Sequence, residues 1–245
     1  DYHTMRELTE ALVTHLAAQA NTDHTTQADA ERATTGASEA SDDDASGSRD
    51  DQSLIHHWQD HAIDFTPPFK VATYHELFEQ HNGFAASDHD KLVEKARSLH
   101  IDPAGKAHDV LLAQVWEETI EDQLIQPTFV IDYPASLCPL TRTKADRPDI
   151  AERFELYIGG MEIANAYTEL NDPDVQEANF RAQIEGLDED EATFRTLDED
   201  FLEALRVGMP PAGGLGIGID RLMMLLTGHR SIRDVILFPL LRPQE

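Results

Sequence analysis

The sequence predicts an α+β fold, an antiparallel β-sheet flanked by helices. Strand-like runs gather late in the chain. Two of them, 153–158 and 162–170, are joined by Gly159-Gly160, a pair suited to a tight hairpin. Helical periodicities flank these runs, and strands do not alternate with helices as a βαβ sheet requires. Hydrophobic residues make up 40% of the 245, enough for a sizeable core.

Residues 2–19 read as a helix, with Met5, Leu8, Leu12 and Leu16 recurring at helical spacing. From Asn21 to Gln52 the chain turns to Asp, Ser, Thr, Ala and Gly. This stretch, 21–52, is expected to be a disordered acidic insertion, because it buries too little apolar surface to offset its ordering entropy. Structure resumes near Leu54, and Pro67 and Pro68 break any helix there. Thr73 and Glu76 have capping-box spacing, which starts a short helix near Tyr74. Helices follow at 88–100 and 109–124, the latter with Leu112, Trp116 and Ile120 on one face. The run PTFVID, 127–132, is a strand ended by Pro134. Beyond the hairpin, 172–184 is a helix with Asn171 as its expected cap and Pro173 in its first turn. Asp198 caps another helix that ends at Gly208. A glycine-laced strand at 213–219 leads into an amphipathic helix, 220–227, and 235–238 is expected to be a final apolar strand.

The net charge of −28 argues against a bare nucleic-acid-binding module and against a basic membrane-surface protein. No apolar run is long enough to span a bilayer, so no membrane partner is expected. The single cysteine, Cys138, excludes a disulfide framework within the chain and a Cys-rich zinc site; it reads as a small packed side chain, and a reducing, cytoplasmic setting fits. His56, His57 and His61 invite a metal reading, but nothing nearby supports one, and they are expected to be solvated. The acidic stretch 185–203 is expected to be a solvated loop and helix face. The excess charge is uneven. Ten acids and two arginines lie in 21–60, and nine acids and one arginine in 185–203, both away from the residues that could carry chemistry.

Those residues lie in RFELYIGGMEIANAYTEL, 153–170, and GGLGIGIDRLMMLLTG, 213–228. Period two puts Asn165, Tyr167 and Glu169 on one strand face, which suits an organic cation: a carboxylate for charge, a ring for a cation–π surface, an amide to orient a polar end. Glu155 and Glu162 lie across the turn, where converging carboxylates would suit Mg²⁺. The alternative is an exposed strand face on an acidic protein. Strict alternation would put Glu162 on the opposite face, so a shared site requires a bulge or strong twist between Glu162 and Asn165. In the second run, Gly214, Gly216 and Gly218 let a flat ligand approach the backbone, and Arg221 could meet a phosphate or stack on a base. The alternative is a glycine-rich strand packed under a helix. Neither a dinucleotide fingerprint nor a Walker A loop is present.

Together these stretches resemble class II aminoacyl-tRNA synthetases, and within them the lysyl branch. GLGIGIDRLMMLLTG with SIRDVILFPLLRP resembles the third signature motif, and RFELYIGGMEIANAYTELND with QPTFVIDYPASLCPL resembles the lysyl enzymes. The resemblance implies the class II catalytic fold. It implies ATP-dependent activation of lysine and its transfer to tRNA(Lys), in a cytoplasmic homodimer. Glu155 and Glu162 would hold Mg²⁺ on ATP. Asn165, Tyr167 and Glu169 would form the lysine pocket, with Glu169 on the ε-ammonium. Arg221, the catalytic candidate, would contact the ATP tail and cover the adenine, and Gly214 and Gly216 would lie under the nucleotide. Ala166 stands where the family usually has Gly.

The resemblance also implies a C-terminal part of a catalytic domain, without the first two signature motifs and the anticodon-binding barrel. Two alternatives are a paralogue that lysylates elongation factor P and a non-catalytic binding fragment. On this reading the 245-residue chain alone forms adenylate at no useful rate. ATP–pyrophosphate exchange is expected to stay near background, and robust exchange would contradict the reading.

Overall fold

In a computed structural model, which describes residues 1–35, 54–185 and 197–238, the sheet is built from strands far apart in sequence. The helix α1 (Tyr2–Thr35) leads into a hairpin, β1 (Ile55–Trp58) and β2 (His61–Asp64). Next come β3 (Lys70–Thr73), α2 (Tyr74–Asn82), α3 (His89–Ser98) and α4 (His108–Ile120), the last ending in a single 3-10 turn, Glu121–Gln123. Then follow β4 (Thr128–Ile131), β5 (Arg153–Ile158), β6 (Met161–Thr168), α5 (Pro173–Glu185), α6 (Glu199–Val207), β7 (Gly213–Ile217), α7 (Ile219–Thr227) and α8 (Ile232–Val235). The order β3-β4-β5-β6-β7 forms one five-stranded sheet, antiparallel except for the β3–β4 pair. The α+β expectation therefore holds, with one parallel pair formed because α2, α3 and α4 intervene between β3 and β4.

Period two along β5 sorts the core. Phe154, Leu156 and Ile158 point to one face, where they pack with Phe129 of β4, Val13 and Ala17 of α1, and Leu222 and Leu225 of α7. Tyr157 points to the other, against Trp116 of α4 and Tyr74 of α2. The turn at Gly159-Gly160 has φ of 63° and 73°, a left-handed conformation that glycine adopts without strain. A Cβ at Gly159 would also lie 2.9 Å from the Trp58 ring, so packing and backbone both demand glycine there.

The predicted irregularity is present. Leu156 pairs with Ala164, but Tyr157 pairs with Glu162, so Ile163 has no partner on β5 and forms a bulge. The bulge turns Glu162 to the face that carries Asn165 and Tyr167. The capping box at Thr73 and Glu76 is formed from both sides. Asp198 caps α6 through the Phe201 N–H.

Four expectations are corrected. First, α1 runs to Thr35, well past Gln19, so the first part of the expected insertion is helical; its first Gly is Gly36, and no Pro interrupts it. The rest of that insertion, 36–52, lies outside the described residues, as do most of the acidic loop, 186–196, and the last residues, 239–245. Second, α5 is capped by Asp172, whose carboxylate accepts from the Asp174 and Val175 N–H groups; Asn171 instead donates to the Met209 carbonyl. Third, no strand forms at 235–238, because Ser231 caps the short α8 through Val235, and Leu237 and Phe238 stay exposed with no pairing partner among the described residues. Fourth, β1, β2 and β3 form where no strand is expected; in IHHW the buried positions are His56 and Trp58 while Ile55 is exposed, so no apolar alternation marks the strand.

Leu156 is fully buried beside the bulge. Leu156→Ala is expected to cost about 2–5 kcal/mol in urea unfolding. A loss below about 1 kcal/mol would show that this core packs more loosely than described.

Candidate active site

Strand register assembles the site as two rows across three strands. One row is Glu155, Asn165 and Gly216; the other is Arg153, Tyr167 and Gly214. Glu169 continues the same face just beyond β6, its N–H bonded to the Ala212 carbonyl at 3.0 Å. Because glycines stand opposite Asn165 and Tyr167, the β7 side of each row is bare backbone. At Gly214 this bare backbone sets where the Glu169 carboxylate can lie. A Cβ there would overlap Glu169 Oε1 and lie 3.2 Å from Glu169 Cδ. The glycine is what leaves room for the carboxylate.

Glu155 is buried yet accepts hydrogen bonds on both oxygens. Oε2 accepts from the Tyr133 hydroxyl at 2.6 Å, and Tyr157 Oη lies 2.7 Å from it. Tyr157 Oη is also 3.1 Å from Glu121 Oε1; with one proton to give, it donates to the nearer Glu155. Oε1 accepts from Arg153 Nη2 and, at 3.4 Å, from Asn165 Nδ2. Burial would lower the Arg153 pKa, but Glu155, Cys138 and Tyr133 together outweigh it and keep the guanidinium charged. Burial, then the Glu155 charge, pushes the Tyr133 and Tyr157 phenols well above their ordinary range, so both remain donors.

Glu162 is half-buried. Burial and the nearby Glu155 charge raise its pKa, and Arg221 partly opposes them. Arg221 sits in the first turn of α7, donates from Nη1 to the Glu162 carbonyl at 2.8 Å, and lies 4.0 Å from the Glu162 carboxylate. Half of its side chain is exposed, so it is free to meet a ligand. Burial raises the Glu169 pKa, and burial together with Glu169 raises that of Tyr167.

A cavity of about 310 Å³ opens beside these rows, between α4 and β5. Tyr74, Trp116, Tyr133 and Tyr157 form its walls, and Glu117, Glu121, Glu155 and Glu162 reach it with Arg153. A larger groove, about 450 Å³, runs along α1 past Glu7, Glu10, Thr14 and His15, and carries none of the sequence-predicted residues. No group of three or more His, Cys, Asp or Glu residues converges as a metal site among the described residues. Two carboxylates near one another still fit Mg²⁺, which takes one or two from the protein and completes its shell with water and phosphate oxygens.

The chain matches the family of class II tRNA synthetases (D, K and N) over residues 1–242. It belongs to that family. It is 47% identical over 195 residues to a lysine–tRNA ligase of Pelotomaculum thermopropionicum, an overlap of 77% of this chain and 38% of that protein. It is 47% identical over 192 residues to one of Parasynechococcus marenigrum and 46% identical over 196 to one of Moorella thermoacetica. The chain thus spans about 38% of the length of such relatives.

All the sequence-predicted residues of this class II chain share one sheet face or its rim: Glu155, Glu162, Asn165, Tyr167, Glu169, Gly214, Gly216 and Arg221. Sequence reasoning missed Arg153, Tyr157, Tyr133 and Trp116. Period two from Glu155 would have found the first two; the others come from distant segments, and no local pattern marks them. His56 is not solvated as expected: it is buried, its Nε2 2.8 Å from the Ala17 carbonyl and its ring edge-on to Phe65. His57 and His61 are exposed. Cys138 is buried, and burial raises its thiol pKa, as a packed side chain requires.

The raised Glu169 pKa fixes the sign of a pH effect. The carboxyl binds its proton more tightly folded than unfolded, so its contribution is present at low pH and lost as pH rises through its folded pKa. In thermal melts from about pH 4 to 7, wild type is expected to lose stability relative to Glu169→Gln. Parallel curves would show that burial does not perturb this group.

Proposed function

We propose that this chain is part of a lysine–tRNA ligase that activates L-lysine with ATP and passes it to tRNA(Lys), working in the cytoplasm as a homodimer. The observation that carries the reading is Glu169, kept clear by Gly214 on the same face as Asn165 and Tyr167. An aliphatic side chain ending in an ammonium fits this set: Glu169 supplies the charge, Tyr167 a π surface, and Asn165 a polar orienting contact. The names of the relatives support the same amino acid.

Activation joins a lysine carboxylate oxygen to the α-phosphorus of ATP and breaks the α–β phosphoanhydride bond, releasing pyrophosphate. In transfer, a terminal ribose hydroxyl of tRNA attacks the lysyl carbonyl, loses its proton, and AMP leaves. Neither step needs a protein nucleophile, so positioning and charge neutralisation carry the chemistry. Arg221 is the cation available to the nucleotide tail and the adenine, over the bare backbone at Gly214 and Gly216. Glu155 and Glu162 would hold Mg²⁺, which when bound neutralises phosphate charge. Arg221 and Glu162 are already within 4.0 Å of each other, so one guanidinium and one carboxylate are set side by side at the nucleotide end.

Calorimetry tests the assignment. L-lysine is expected to bind, and Glu169→Gln is expected to weaken it by about tenfold or more, since a hydrogen-bonded charge is removed. Binding of Mg·ATP should change little. If the wild-type chain binds neither ligand, the fragment is a non-catalytic module; if Glu169→Gln leaves lysine binding intact, the pocket lies elsewhere.

A further inference from the structure

We infer that Arg153 is the positioning residue of this site: one guanidinium sets the orientation in which Asn165 meets the amino-acid substrate. The inference rests on the lysine reading above for the substrate, but its geometry is independent of it. Arg153 Nε donates to Asn165 Oδ1 at 3.3 Å, Nη2 to Glu155 Oε1, and Nη1 to Cys138 Sγ at 3.3 Å. Its plane lies over the Tyr133 ring, 4.9 Å from the centroid. Its side chain is only 19% exposed, so it is held among these partners and not displayed as a free surface charge.

The orientation of the Asn165 amide is therefore enforced from both ends. Its oxygen faces a donor, and its nitrogen faces Glu155 Oε1 at 3.4 Å. Flipping the amide would set an NH₂ against a guanidinium and an oxygen against a carboxylate, leaving both contacts repulsive. Asn165 thus has one orientation, in which its NH₂ is turned to the two carboxylates, Glu155 and Glu162, at the edge of the pocket. The same cation balances Glu155, so the buried carboxylate does not compete with Glu169 for the substrate ammonium. A lysine at 153 would keep the charge. It could not keep the planar fork that reaches Asn165, Glu155 and Cys138 together.

The test uses Arg153→Lys in the full 245-residue chain. The side-chain amide signals of Asn165, assigned by NMR through Asn165→Asp, are expected to move in the unliganded protein. L-lysine affinity is expected to fall about tenfold. Cys138→Ala removes only the sulfur contact and should leave both readouts unchanged. The doubly neutral variant Arg153→Gln with Glu155→Gln removes the ion pair without stranding a charge, and should displace the Asn165 signals even if Arg153→Lys folds poorly. A purely structural role would lower the melting temperature of Arg153→Lys while leaving the Asn165 signals and lysine affinity of the folded protein in place. That result overturns the inference. If wild type binds no lysine, the proposed function fails, while the Asn165 signals still decide the role of Arg153.

Discussion

A carboxylate buried in the face of a β-sheet is the constraint around which this molecule is arranged. Glu155 stands on a central strand with its neighbours Phe154 and Leu156 in the core. An unpaired carboxylate there would be prohibitively costly. Two phenols, an amide and a guanidinium prevent this. The partners come from β5 itself, from β6 and from Tyr133 beyond β4. The charge can remain only while three parts of the chain are in register. The candidate site on this sheet face is thereby tied to the correct pairing of its strands.

Two local departures from regularity turn that face into a site. The bulge at Ile163 rotates Glu162 onto the side that holds Asn165 and Tyr167, joining the two carboxylates proposed for Mg²⁺ to the proposed amino-acid pocket. The glycines of β7 strip side chains from the far end of both rows. Gly214 has the sharper role, since any side chain there would occupy the space of the Glu169 carboxylate. The acids of the site are arranged by distance from their cations. Glu155 is directly paired, Glu162 sits at 4.0 Å from Arg221, and burial alone raises the pKa of Glu169, with no cation paired to it among the described residues. The least compensated acid is the one assigned to the substrate ammonium.

Much of this was legible in the residues. The capping box at Thr73, the Gly-Gly hairpin and the strand alternation of 153–169 are local signals with single physical readings. The bulge was deducible because two chemical groups could share a site only if alternation failed between them. What was not legible was long-range. Trp116 and Tyr133 enter the site from segments whose own patterns report only helix and strand. Arg153 was overlooked because its meaning depends on Asn165 across the hairpin. The apolar run at 235–238 read as a strand, but a strand needs a partner edge as well as hydrophobic side chains, and Ser231 had already started a helix there. His56 is expected in water because it adjoins the acidic insertion and no cysteine supports a metal site, whereas a carbonyl of α1 gives it a buried partner.

The central claim is that this sheet face holds an amino acid by its side-chain ammonium at Glu169. A crystal structure of the chain with L-lysine tests it most directly. The ε-ammonium is expected within hydrogen-bond distance of the Glu169 carboxylate, beside the Tyr167 ring and over bare Gly214. Lysine seated instead in the cavity between α4 and β5, against Glu117 and Glu121, would contradict it.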